Sequence, residues 1–221
     1  MASRHARKAP SRVPTKNARR PAVRAAAGEA RRQAILTAAL DEFSAAGFAA
    51  ARLDDVARRA GVAKGTIYLY FRDKEALFQE LIRAVLGPLI TQFEAAAGRD
   101  VPVRVMAEEI VALFEREIYA TRRKDVIRLI IGEGPRFPKL AAFYYTEVLS
   151  KLIAAARARL ARAAERREPG AETLMRFPQL LVAPGLVAIL WSSLFERFEP
   201  LDVSALMRAH LDLMFGAGRN T

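Results

Sequence analysis

The stretch that most constrains this chain is residues 56–71, Val-Ala-Arg-Arg-Ala-Gly-Val-Ala-Lys-Gly-Thr-Ile-Tyr-Leu-Tyr-Phe. It reads as a short helix, a turn containing Gly61 and a second short helix. Asp54 and Asp55 stand at the start of the first helix, where carboxylates suit the positive end of the backbone dipole. Gly61 follows the apolar positions Val56, Ala57 and Ala60, where a left-handed residue would end that helix. Ile67 and Phe71 are four apart and share one face of the second helix, while Gly65, Thr66 and Leu69 point the other way. Such a unit buries little apolar surface and requires a scaffold. Its outward face is small and polar enough to enter a DNA major groove.

Charge agrees with an anionic partner. The chain carries a formal net charge of +12 and a pI near 10.6, which favours nucleic acid or an anionic membrane surface. Residues 1–28 hold Arg4, Arg7, Lys8, Arg12, Lys16, Arg19, Arg20 and Arg24 and no acid, eight of the net twelve charges. Pro10, Pro14 and Pro21 argue against a continuous helix there. The expectation is a disordered basic arm, read either as a solvated tail or as a segment that tracks DNA phosphates or a minor groove.

Several chemistries are poorly provided for. Cysteine is absent and the two histidines, His5 and His210, lie far apart, so metal binding, thiolate chemistry and imidazole catalysis are not expected. No phosphate-binding glycine loop or Gly-x-Ser-x-Gly elbow occurs. The longest apolar run, Leu180 to Trp191, is too short for a bilayer and contains Pro184-Gly185. The basic N-terminus lacks the apolar core of a secretory signal. The expectation is a cytoplasmic protein that is not an enzyme, with no cofactor and no membrane partner.

The flanks of the opening stretch read as its scaffold. A first helix is expected from about Glu29 to Ala46, burying Ile35, Ala38, Ala39 and Phe43 and stopped by Gly47. The two short helices cover about Leu53 to Ala60 and Lys64 to Phe71. A fourth follows with Asp73 as N-cap, Glu75 in its first turn and Leu77, Phe78, Leu81, Ile82 and Val85 on its apolar face. Gly87-Pro88 should break or kink it.

Taken together, Ile35 to Leu81 resembles the N-terminal DNA-binding domain of TetR-family transcriptional regulators of the AcrR-like kind. The resemblance is carried by Ile35-Leu-x-Ala-Ala-x-x-x-Phe, Gly47-Phe48, Leu53-Asp-Asp-Val-Ala, Ala60-Gly-Val-Ala-Lys-Gly-Thr-Ile-Tyr-Leu-Tyr-Phe and Asp73-Lys-Glu-Ala-Leu-Phe. It implies that Ala63, Lys64, Gly65 and Tyr68 touch base edges. It implies that Thr66, Tyr70 and Lys74 hold phosphates, which sets register and salt-dependent affinity. Leu69 shares the outward face with them. The Tyr68 ring has a second reading, as packing for the small domain with only its hydroxyl facing DNA.

Two positions depart from the family. Arg52 and Ala63 stand where a hydroxyl residue commonly caps each short helix, a loss of about 1 kcal/mol apiece. Arg52 can replace a hydroxyl–phosphate contact with a charged one, and Ala63 can meet a thymine methyl.

Beyond residue 89 the pattern is helical. Val103 to Ala120 is amphipathic, Leu140 to about Glu165 forms a long helix, and Phe177 to Phe198 is mostly apolar with a kink or restart at Pro184. Asp202 caps a last helix, Val203 to Phe215. Ile130-Ile-Gly-Glu-Gly-Pro-Arg-Phe-Pro-Lys-Leu-Ala-Ala-Phe-Tyr-Tyr resembles the regulatory domain of the AefR-like branch of TetR regulators, which implies ligand sensing and dimerisation. A helix apolar all round is central or interfacial. The Phe177–Phe198 helix, with Leu180, Leu181, Leu186, Val187, Leu190, Trp191, Leu194 and Phe195, and the last helix, with Leu206, Leu213 and Met214, are therefore read as a two-fold interface or as burial within one subunit. Candidate pocket residues are Phe114, Glu117, Arg128, Phe143, Tyr144 and Glu147, each equally readable as ordinary core or surface charge.

The expected fold is all-α and TetR-like: a basic arm over 1–28, a helix-turn-helix DNA-binding domain over 29–89 and a ligand-sensing and dimerisation domain over 90–221. The expected function is a regulator, a repressor in the family's usual mode. It acts as a homodimer on a palindromic operator in double-stranded DNA and is released by an unidentified small-molecule effector. A helical enzyme or small-molecule-binding protein without DNA function, and a sequence-indifferent nucleoid or membrane-surface binder, are the competing readings.

Overall fold

The computed structural model describes residues 16–216, with side chains from residue 24 onward. The basic arm over residues 1–15 lies outside the described residues. All regular structure among the described residues is helical. The order is α1 (Lys16–Ala50), α2 (Leu53–Arg59), α3 (Lys64–Tyr70), α4 (Lys74–Gly98), α5 (Val103–Leu113), α6 (Arg123–Glu133), α7 (Pro138–Tyr144), α8 (Ser150–Glu165), α9 (Ala171–Arg176), α10 (Ala183–Phe195) and α11 (Val203–Phe215). No described helix is long and apolar enough to cross a membrane.

The N-terminal head closes over one core. Ile35, Ala39 and Phe43 of α1 meet Val56 of α2, Ile67 of α3 and Leu77, Phe78 and Leu81 of α4, all essentially out of solvent. The Phe78 ring meets Phe43 and Phe48 edge-on at 5.2 and 5.3 Å, a favoured aromatic geometry. Gly47 breaks α1 near its end with φ 74° and ψ 165°, and Gly61 turns α2 into α3 with φ 65°. Both lie in the region that favours glycine. Asp73 caps α4 by accepting from the Ala76 N–H at 2.7 Å, and Asp202 caps α11 by accepting from Ala205 at 2.9 Å.

Two prolines do not act as breaks. Helix α1 starts at Lys16, so residues 16–28 are helical where an irregular arm was expected. Ala25, Ala26 and Ala27 are the strongest helix formers, and their propensity outweighs the one backbone hydrogen bond, to the residue-17 carbonyl, that Pro21 forgoes. Helix α4 likewise runs through Pro88 to Gly98. Leu86, Leu89, Phe93 and Ala97 are buried on either side of that proline, so tertiary packing outweighs its local cost.

Helix α4 joins the two halves. Its middle, Leu86 and Leu89, belongs to the head's core, which also takes in Val126, Ile127 and Ile130 of α6 and Leu140 of α7. Its end, Phe93 and Ala97, belongs to a second core with Met106, Leu160, Leu174 and Leu211. Two helices contain wider π turns. Phe114–Tyr119 continues α5, and Tyr145–Leu149 links α7 to α8, so residues 138–165 form one long rod. The expected Phe177–Phe198 helix is a 3-10 turn, Pro178–Leu181, followed by α10, which restarts with Pro184 in its first turn.

Candidate nucleic-acid interface and internal cavity

Helix α3 is anchored by one side chain and presents the rest. Ile67 is fully buried against α1 and α4, and Phe71 closes the far end. Ala63, Lys64 and Gly65 are exposed, Tyr68 is 49% exposed and Leu69 is 84% exposed. Thr66 and Tyr70 are half-buried beside them. These residues therefore form one outward surface, together with exposed Arg52 at the start of α2.

Neither Arg52 nor Ala63 makes a side-chain cap, as their departure from the hydroxyl pattern implies. The Arg52 carbonyl accepts the first intrahelical bonds of α2, from Asp55 and Val56, and its guanidinium remains at the surface. The Lys64 ammonium donates to Asp54 Oδ2 at 2.7 Å, which raises its pKa. Lys64 thus reaches across from α3 to α2 at the face of the unit. An exposed pair of this kind is weakly held and can trade its carboxylate for a phosphate or a base edge.

Lys74 is placed differently from a freely projecting phosphate contact. Its Nζ donates to the Ala49 and Ala51 carbonyls at 2.8 and 3.0 Å and lies 4.8 Å from the centre of the Phe48 ring. Burial lowers its pKa, against the attraction of the Glu133 carboxylate. Two of its three N–H groups are committed to the corner between α1 and α2, which leaves one for an outside acceptor.

Glu133 holds the same corner. Its Oε1 accepts from the Phe48 N–H at 3.0 Å, and its Oε2 is buried without a hydrogen bond. The Phe48 ring also meets Phe137 edge-on at 4.8 Å. Sequence reasoning missed this carboxylate. Its one signal was its place between Gly132 and Gly134, in a segment read as a break and as part of the AefR-like resemblance, with no role given to the carboxylate.

The second half encloses a cavity of about 340 Å³. Phe114 and Tyr144 line it, with Leu86 and Phe93 of α4, Ile110 of α5, Ile127 and Ile131 of α6, Leu152 of α8, Leu186 and Ile189 of α10, and Gln179 of the 3-10 turn among others. The other four candidate pocket residues stand outside its wall. Glu117 pairs with Arg123 at 2.8 Å, Arg128 with Asp125 at 3.5 Å and Glu147 with Lys151 at 3.3 Å. The Phe143 ring lies under the Arg83 guanidinium at 4.7 Å. Most of the lining was invisible beforehand because an apolar stripe looks the same whether it meets a neighbour or a void. No cluster of three or more His, Cys, Asp or Glu suited to a metal occurs among the described residues.

Comparison with known proteins bears on the head most directly. The family of bacterial regulatory proteins named tetR matches residues 35–81. The HTH-type transcriptional regulator RutR of Escherichia coli strain K12 is 38% identical over 115 residues, 52% of this chain and 46% of the relative. The HTH-type transcriptional regulator AcrR of Shigella flexneri is 34% identical over 98 residues, 43% of this chain and 45% of the relative. The chain thus spans about half the length of the curated relatives it matches. Among solved structures, the fatty acid degradation regulator FadR of Bacillus halodurans superposes with a TM-score of 0.68 at 22% identity, covering 86% of this chain and 97% of that one. FadR of Bacillus subtilis, solved in complex with stearoyl-CoA, gives a TM-score of 0.67 at 18% identity, covering 85% and 99%. At those identities the likeness is one of fold. Residues 35–81, the helix-turn-helix with the helices that flank it, thus match the N-terminal domain of the tetR family of bacterial regulatory proteins.

Proposed function

We propose that this chain is a sequence-specific, DNA-binding transcriptional regulator that acts as a homodimer on a palindromic operator and is released from it by a small-molecule effector, in the manner of a repressor. The observation that carries this reading is the outward face of α3. Lys64, Gly65, Tyr68 and Leu69 are exposed while Ile67 alone is fully buried, so the helix is held from behind and open in front. An exposed, rigidly backed helix of this kind fits a major groove, with Arg52, Thr66, Tyr70 and the remaining Lys74 donor positioned for phosphates.

A single reading head makes few base contacts, and two held in register add theirs. Helix α10 supports a second copy. Leu186, Val187, Leu190, Leu194 and Phe195 are all exposed on it, and Leu213 of α11 is 87% exposed. A continuous apolar face on adjacent helices marks an interaction surface.

Helix α6 links effector to head. Ile127 and Ile131 lie in the cavity wall, and Glu133 at its end holds Phe48 of the head. A ligand that shifts α6 changes the seat of the corner between α1 and α2. In a dimer this alters the spacing of the two α3 helices, and the population moves to a form that no longer spans adjacent grooves. The stearoyl-CoA complex of the Bacillus subtilis relative supports an effector with an apolar body.

Genome-wide selection of bound DNA fragments, followed by footprinting, tests the reading. The expected result is a protected palindrome whose binding is lost in the Lys64→Ala, Tyr68→Ala double variant. Unchanged affinity of that variant at every salt concentration, or protection indifferent to sequence, would sink it.

A further inference from the structure

The chemistry of the cavity wall limits what can enter. Among the described residues no Lys, Arg, His, Asp or Glu lines it, and the polar side-chain groups there are the Tyr144 hydroxyl and the Gln179 amide. The charged residues nearest in sequence are turned away and neutralised outside, Glu117 by Arg123 and Glu147 by Lys151. A charged ligand group drawn inside would lose its water and meet no counter-charge.

Tyr144 is the interior polar handle. Its hydroxyl has no hydrogen bond to another described residue, and burial pushes the phenol up to about 12, so at neutral pH it is an O–H donor. Gln179, with Val182 and Leu186, is exposed and marks where the cavity meets solvent. The volume of about 340 Å³ lies at the small end of the usual ligand-site range, about 300–1,000 Å³.

We propose, resting on the effector-controlled reading above, that the cavity takes a compact, uncharged, mainly hydrocarbon molecule with one acceptor oxygen, such as a ketone, ester or lactone carbonyl, hydrogen-bonded by Tyr144. The whole molecule lies within the wall. An acid or a coenzyme A thioester of the same chain length is disfavoured, because its charged portion must be stripped of water or left outside with its chain withdrawn.

The test uses the full chain and the neutral fluorophore N-phenyl-1-naphthylamine, displaced by decan-2-one, decanoate and decanoyl-CoA. Decan-2-one is expected to displace the probe at roughly tenfold lower concentration than either charged relative. Tyr144→Phe is expected to raise the concentration of decan-2-one needed by roughly three- to tenfold, the worth of one hydrogen bond, once each protein's own affinity for the probe is taken into account. Leu152→Trp, which fills the cavity, should abolish probe binding with helix content preserved; if it does not fold, the Tyr144→Phe comparison decides. The proposal is overturned by equal or better displacement by decanoate or decanoyl-CoA, by an unchanged ketone response in Tyr144→Phe, or by failure of the probe to bind the wild-type chain. DNA release is scored separately on the footprinted fragment. Ketone binding without release upholds the ligand class and removes its role as effector.

Discussion

The Glu133 carboxylate accepts the Phe48 N–H at 3.0 Å, joining the end of a cavity-lining helix to the corner of the DNA-binding head. Phe48 is buried, so loss of this acceptor strands a donor away from water. Glu133→Ala is expected to lower stability by about 1–3 kcal/mol in urea titrations and to expose the Phe48 amide to hydrogen exchange. Glu133→Gln retains an acceptor oxygen and should lose much less. If the two variants behaved alike, charge rather than the hydrogen bond would be the bond's working part.

Gly47 is tied to the same contact. Its φ of 74° disfavours any side chain, and a Cβ there would sit 2.6 Å from Glu133 Oε1. Gly47→Ala therefore strains the backbone and displaces the carboxylate at once. The expected cost is roughly 1–3 kcal/mol by chemical denaturation. Combined with Glu133→Ala, it should fall short of the sum of the two, since both act on one contact.

Much of the head could be read from residue types with local physical roles. Gly47 and Gly61 mark backbone that other residues resist, Asp73 caps α4 through its own carboxylate, and Ile67 is the one large apolar side chain that α3 fully buries. These effects act within a few residues. Pro21 and Pro88 misled because their local cost is overridden by Ala-rich sequence in one case and buried packing in the other. The pocket was legible only in part. Phe114 and Tyr144 each stand immediately before or at a π turn, which takes more backbone per turn than an α turn and re-phases the faces beyond it. Glu117 and Glu147, placed by α-helical spacing, fall inside those turns and find surface cations instead.

Arg159 gives a prediction about acid. Its guanidinium is fully buried, donates to the Arg99 and Val101 carbonyls, and lies 3.7 Å from Glu168. Burial would raise the Glu168 pKa, but the Val103 N–H and the guanidinium groups of Arg166 and Arg159 outweigh it and hold the carboxyl below its ordinary value. A depressed carboxylate contributes stability that is fully present above the unfolded pKa, about 4.3, and is lost as pH falls through the lower folded value. Glu168→Gln should cost about 3 kcal/mol near neutrality, by leaving Arg159 under-compensated, and should flatten that part of the decline below pH ~4.3. Urea midpoints for both proteins across pH 3–7 check the sign. A difference between them that persisted undiminished at the lowest pH would remove the carboxylate from the explanation.

Leu69 separates recognition from folding. At 84% exposure it supports nothing within its own chain, so Leu69→Ala should leave stability within about 0.5 kcal/mol. In a groove it would meet base edges or thymine methyl groups, and truncation should cost roughly 1–3 kcal/mol of binding to the selected operator. Arg52→Ala should instead weaken binding to all sequences alike and reduce the salt slope by about one phosphate's worth. Titrations of operator and scrambled duplex at several salt concentrations distinguish the two patterns.

The apolar face of α10 makes the sharpest demand on assembly. Leu190 and Leu194 are exposed at 38% and 61%, one turn apart, so charges placed there do not disturb the core of a lone subunit. In a two-fold interface each variant side chain is buried, and its symmetry copy brings a second like charge nearby. Leu190→Glu with Leu194→Glu should therefore turn a dimer into a monomer in sedimentation equilibrium while helix content stays constant. Half-site binding through α3 would survive, but affinity for the full palindrome should fall to that of one head, about the non-specific range of 10⁻⁴–10⁻⁶ M. A variant that remained dimeric with full operator affinity would place the interface elsewhere on the molecule.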